Sequence, residues 1–159
     1  MFVRALFAAS LILAVLVTLP AGAQNGDDNN TSDAVGVCRT YFEAMDNSDL
    51  DAAEKLFAEE SLIFETGGVE GSWNNYREHH LGPEIDAILS FKTSLGEPET
   101  MSSKDGTMSV VAWPIEYHIE LKDDREIDSR GTVTFILLAE DGAPRIRHLH
   151  WSSRRVKQD

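Results

Sequence analysis

Four of the five histidines in this 159-residue chain fall in two tight groups, His79-His80 and His148-x-His150. A neutral imidazole nitrogen is a common ligand for zinc and copper, and imidazole is also the side chain whose charge changes near neutral pH. Either group could therefore hold a metal or move a proton. On a strand, side chains at i and i+2 leave the same face, which makes His148 and His150 a natural chelating pair. Glu65, just ahead of Gly67-Gly68, is a carboxylate able to complete such a set or to act as a general base. His118, between Glu116 and Glu120, reads instead as a solvated or interface histidine.

These groups need elements to position them. From a cap at Ser32, apolar residues at Val35, Cys38, Phe42 and Met45 recur in steps of three and four, with Ala34 and Tyr41 flanking that stripe, which predicts an amphipathic helix ending near Asn47. A second short helix capped by Ser48 turns Leu50, Ala53, Leu56 and Phe57 inward. Ser61 to Glu65 reads as a strand. A third helix runs from Ser72 through His80 and is stopped by Leu81-Gly82-Pro83. It places His80 on the face of Trp73 and Tyr76, with His79 ~100° around the helix.

The period then changes to two. Ile85 to Leu95, Met108 to Leu121, Ile127 to Leu138 and Ile146 to Ser152 read as strands, with Val111, Trp113, Ile115 and Tyr117 on one face of the second. Three helices followed by antiparallel strands predict an α+β fold, helices packed on one face of a curved sheet. Strict alternation puts His148 and His150 on the face of Ile146, hence inward. It puts Leu149 and Trp151 outward beside Arg145 and Arg147, where a second copy of the chain would cover them in a homodimer. The carboxylates Glu116, Glu120, Asp123, Asp124, Glu126 and Asp128 match no calcium loop and read as an acidic sheet edge.

Composition narrows the class. A net charge of −13 argues against nucleic acid and anionic membrane surfaces, both of which need basic patches. The single cysteine, Cys38, allows no intrachain disulfide. Met1 to Ala23 has a positive start, an apolar run and the small-x-small pattern Ala21-Gly22-Ala23. That predicts a cleaved signal peptide over 1–23, a periplasmic or secreted protein and no stable membrane anchor. Polar residues 24–32 then form a flexible leader, and 33–156 the domain.

Tyr41-Phe42-Glu43-Ala44, then Asp49-x-Asp51-x-x-x-x-Leu56-Phe57-Ala58 and a strand ending in Glu65, resemble the opening of the SnoaL-like branch of the nuclear transport factor 2-like superfamily. His79-His80-Leu81-Gly82 and His148-Leu149-His150-Trp151-Ser152-Ser153 resemble its later signatures. The resemblance spans Ser32 to Arg155 and implies a cone, with three N-terminal helices packed on a strongly curved antiparallel sheet. In such a cone the third helix and the last strand border the cavity. That implies a metal set of His80, His148, His150, Glu65 and His79, suited to zinc or copper, within a wall of Trp73, Tyr76, Trp113 and Tyr117.

Three readings use this cavity. In the first, an exported protein binds a transition metal or a small polar ligand through the histidines. In the second, an isomerase, dehydratase or hydrolase works on a small organic substrate, with Glu65 as base and a histidine as acid. In the third, the domain is a non-catalytic assembly module. The superfamily holds all of these, so fold alone does not choose. No nucleophile elbow, phosphate loop, dinucleotide fingerprint or steroid-isomerase Asp/Tyr arrangement is present.

Overall fold

The computed structural model describes residues 25–157, so the predicted signal peptide lies outside the described residues. Helix α1 spans Asn25–Asp46. It starts well before Ser32, so most of the expected leader is helical. Once the packed part of a helix is nucleated, extension adds one hydrogen bond per residue and needs no tertiary contact of its own. Ala34, Cys38, Tyr41, Phe42 and Met45 are buried along one face, as the periodicity requires. Helix α2, Leu50–Glu54, is capped by Asp49 rather than Ser48: the Asp49 side chain accepts from the Ala52 N–H, while Ser48 takes a left-handed turn conformation with φ 55°.

After β1 (Phe57–Glu65) and a short β2 (Gly68–Gly71), Ser72 caps α3, Trp73–Tyr76. The expected stop at Gly82-Pro83 does not occur. The backbone widens into a π-turn, Arg77–Leu81, and continues as α4, Gly82–Ile85. The Gly82 N–H reaches back five residues to the Arg77 carbonyl. In a regular α-helix the Pro83 ring would press on the carbonyl four residues earlier, and the wider turn relieves that conflict. Glycine is required at the junction because a Cβ on residue 82 would lie 2.8 Å from the Arg77 oxygen.

Strands β3 (Ile88–Leu95), β4 (Glu99–Ser102), β5 (Met108–Leu121), β6 (Glu126–Glu140) and β7 (Ala143–Arg155) complete one sheet in the order β2-β1-β7-β6-β5-β3, with β4 also on β5. The architecture is α+β with a curved sheet, as expected. The sheet is not wholly antiparallel, however: β1 and β7 run parallel. They come from opposite ends of the domain, so no hairpin dictates their relative direction. The core between α1 and the sheet is aromatic, with Phe42 within 5.6–6.1 Å, ring to ring, of Trp113, Phe135 and Trp151.

One backbone irregularity decides which face the histidines occupy. In the β6–β7 ladder Leu137 pairs with Ile146 but Ile136 pairs with His148, leaving Arg147 as an extra residue in a β-bulge. The bulge shifts the alternation by one. Ile146, Leu149 and Trp151 are all buried, at 0%, 0% and 5% exposure, and His148 and His150 point to the outer face. Both sequence expectations that depended on unbroken alternation, histidines inward and Leu149/Trp151 outward, are therefore reversed.

Candidate ligand cavity

At one end of the sheet α1, the segment from α3 to α4 and the curling strands enclose a cavity of about 380 Å³. Phe91, Tyr117, Ile119 and Trp151 form its sheet wall, and Leu81 and Ile85 line it from the helical side. Most of this lining is apolar, as expected for a small-molecule site with a few placed polar groups.

At the inner end the polar groups are Tyr41, Glu65 and Tyr76, while Glu84, Arg154, Arg155 and several hydroxyls also line the cavity. Tyr41 is fully buried, its ring held edge-on by Phe42, Phe57 and Phe135, and its hydroxyl has no hydrogen-bond partner among the described residues. Burial, and then the charge of Glu65, push its pKa far up, so the phenol stays protonated and remains a hydrogen-bond donor. Glu65 closes β1 and accepts a hydrogen bond from the Tyr76 hydroxyl at Oε2. Burial raises the Glu65 pKa, outweighing the Tyr76 bond and the His80 charge, which pull it down. Tyr76 is in turn pushed well up, chiefly by burial, with the Glu65 carboxylate adding to the shift.

His80 sits behind this group. Its Nε2 lies 3.6 Å from Glu65 Oε2 and 3.3 Å from Glu84 Oε1, and its Nδ1 lies 3.1 Å from Glu70 Oε2. Burial works to lower the His80 pKa, but the Glu70 hydrogen bond and the Glu65 and Glu84 charges outweigh it and the net shift is upward. The π-turn makes this possible, because it re-aims His80 while Arg77 ties the same turn to Asp51 and Glu54 of α2.

The predicted metal set is not brought together. Glu65 and His80 are neighbours, but His79 is exposed, and His148 and His150 lie across the sheet beside Phe64, at ring distances of 5.5 and 6.3 Å. Around His80, Glu65 and Glu84 face Nε2 and Glu70 faces Nδ1, as ion-pair partners of the ring. Among the described residues no group of three or more histidine, cysteine or carboxylate side chains is arranged to hold a metal ion. The residues present do not fit zinc or copper.

The four predicted wall residues are divided between this cavity and the core. Tyr76 and Tyr117 line the cavity, and Tyr117 shares a 2.8 Å hydrogen bond with Ser153. Trp73 instead stacks on Phe57 at 4.5 Å, and Trp113 is fully buried nearer the other end of β5, its Nε1 donating to the Gly96 carbonyl at 2.7 Å. Sequence reasoning missed Tyr41, which it placed only beside the buried helix stripe. The available signal was a polar-tipped ring on a core-facing helix, which needs a partner for its hydroxyl.

A conical sheet carrying helices on its inner face and a cavity at its open end defines a class of protein that solved structures also show. A nuclear transport factor 2-like superfamily protein from Salmonella enterica superposes with a TM-score of 0.71 at 15% identity, covering 82% of this chain and 94% of that one. A candidate ketosteroid isomerase from Shewanella frigidimarina gives 0.66 at 24% identity, over 77% and 97% of the two chains. A candidate scytalone dehydratase from Novosphingobium aromaticivorans gives 0.72 at 11% identity, over 84% and 88%. No protein-family model matches the sequence, and no curated protein does. The chain has the fold of the nuclear transport factor 2-like superfamily.

Proposed function

We propose that the cavity binds a small ring-bearing ketone or alcohol and moves a proton on it, in the manner of an isomerase or dehydratase. The observation that carries this reading is the Tyr41 hydroxyl, buried and unpartnered, in the same apolar cavity as a carboxylate of raised pKa. An unsatisfied buried donor costs stability by itself and is relieved by an oxygen of a ligand. A carbonyl oxygen accepting from Tyr41 brings the carbon next to it toward Glu65. Tyr76 occupies Oε2 of that carboxylate, which leaves Oε1 to take the proton. The negative charge that develops on the ligand oxygen is then met by a preorganised donor in an apolar surrounding. His80 acts through Glu65, as a positioning residue.

The test is solvent deuterium exchange at the carbon beside the carbonyl of 2-tetralone, followed by NMR. The protein should accelerate it, with a bell-shaped pH dependence. Glu65 must be ionised, so the acid limb should lie above the ordinary carboxylate value of 4.5. His80 must be charged to orient Glu65, so the alkaline limb should lie above the ordinary imidazole value of 6.5. Exchange no faster than buffer at every pH would refute the reading for this class of ligand.

We also propose a homodimer, through a different surface from the one the alternation suggested. Met101, Val110, Ile136, His148 and Leu62 are successive ladder partners across five strands on the outer face. Leu62 and Met101 are 43% and 68% exposed. Burial, followed by the charge of His150, lowers the His148 pKa, so its ring behaves as a neutral member of this apolar row. Covering the row returns roughly 25 cal/mol per Å² of apolar surface before association costs. Light scattering at micromolar concentration should give twice the chain mass, and Leu62→Glu should shift it toward one chain. A wild-type monomer would count against it.

A further inference from the structure

The far end of the cavity carries charge of the opposite sign from Glu65. Arg154 and Arg155, the last residues of β7, line its mouth. The chain has 27 acidic side chains against 14 basic ones, yet among the described residues only three arginine or lysine side chains form an ion pair with a carboxylate. These are Arg77, Arg125 and Arg147. Arg154 and Arg155 are exposed and have no carboxylate partner among the described residues. The ladder neighbour of Arg154 on β6 is another arginine, Arg130, with Glu116 beyond it. That row lies on the outer face with His150 and Ser152, so Arg155, on the face of Trp151, is the arginine that turns toward the cavity.

The spacing defines what could bridge the two ends. Glu65 is level with Trp151 in the β1–β7 pair, and Arg155 lies four residues further along β7. Four residues of strand are about 13 Å, and an arginine side chain can reach back over roughly half of that. Between the ends lie Tyr117, Ile119, Ile127 and Trp151, a surface for rings and methylenes. We propose that the cavity selects an amphipathic keto or hydroxy acid: a ring, an oxygen function at the Tyr41–Glu65 end, and a carboxylate about 6–7 Å away that pairs with Arg155 at the mouth. This rests on the reading of the cavity as a ligand site. Guanidinium groups present paired donors to a carboxylate, and exposure at the mouth lets the acid enter carboxylate last.

The experiment compares 4-benzoylbutyrate with its neutral amide, 4-benzoylbutyramide, by calorimetric or NMR titration at low salt. The two share a ring and a ketone and differ only at the distal group. Wild type should bind the acid about tenfold more tightly than the amide, and the preference should shrink with added salt. Arg154→Gln/Arg155→Gln should abolish the preference through a loss of acid affinity. Both side chains are exposed, so the melting temperature of the double variant should stay that of wild type and serve as its folding control. Equal binding of acid and amide by wild type, or a preference that survives in the double variant, would overturn this proposal and leave the ligand site standing. Binding of neither compound would overturn both.

Discussion

Glu65→Gln is expected to lower the exchange rate of 2-tetralone by about 10²- to 10⁴-fold while leaving the protein folded. The amide has the shape of the carboxylate and its oxygen can still accept the Tyr76 hydroxyl, but it cannot take a proton. Stability should change in a direction that separates this role from a structural one. The folded-state pKa of Glu65 is raised, chiefly by burial, so the fold disfavours its ionised form. That penalty is absent below the unfolded value near 4.5 and is fully present once the pH exceeds the folded one. The variant should therefore be at least as stable as wild type at pH 8 and lose that advantage as the pH falls toward 4. A structural ion-pair role for Glu65 predicts the reverse at pH 8: a loss of stability that accounts for the lost activity. Thermal denaturation at the two pH values distinguishes them.

Phe42→Ala should destabilise the domain by about 3–5 kcal/mol, the range for deleting a well-packed aromatic ring, and lower its melting temperature by roughly 10 °C or more. Phe42 is 1% exposed and its ring meets Tyr41, Trp113, Phe135 and Trp151, joining α1 to three strands. Two of these neighbours, Tyr41 and Trp151, also line the cavity. The cavity left by the ring would free Tyr41 to tilt, so exchange activity should fall even at temperatures where the variant is folded. Circular dichroism melts together with exchange at 15 °C test both halves. A melting temperature within 3 °C of wild type would show that the aromatic cluster does not hold the helix to the sheet.

Much of this architecture was legible before any coordinates. The stripe of Val35, Cys38, Phe42 and Met45 required a helix with one buried face, and Cys38, Phe42 and Met45 are buried there with Val35 half-buried. The alternation from Val111 to Ile115 required a half-buried strand, and β5 spans the expected Met108–Leu121. Glu65 stood out as a carboxylate at a strand end and Tyr76 as a wall residue on a core-facing helix, and both line the cavity. These inferences depend only on periods of 3.6 and 2, which the chain carries locally.

The rest depended on where single residues break those periods. Arg147 adds one residue to β7, and that insertion carries His148 and His150 from the cavity face to the outer one. No composition or spacing rule locates a bulge, because it is defined by the register of the partner strand. The π-turn at Arg77–Leu81 is similar: Gly82-Pro83 is an ordinary helix stop in isolation, and here the fold carries the helix through it and points His80 at Glu65, Glu70 and Glu84. Tyr41 shows the same division. Its side of the helix followed from sequence, but whether its hydroxyl met a partner or an apolar cavity was set by Phe57, Phe135 and Glu65 arriving from distant strands. Local sequence determined which residues face the core. Strand register and helix trajectory, which are long-range quantities, decided which of them meet one another.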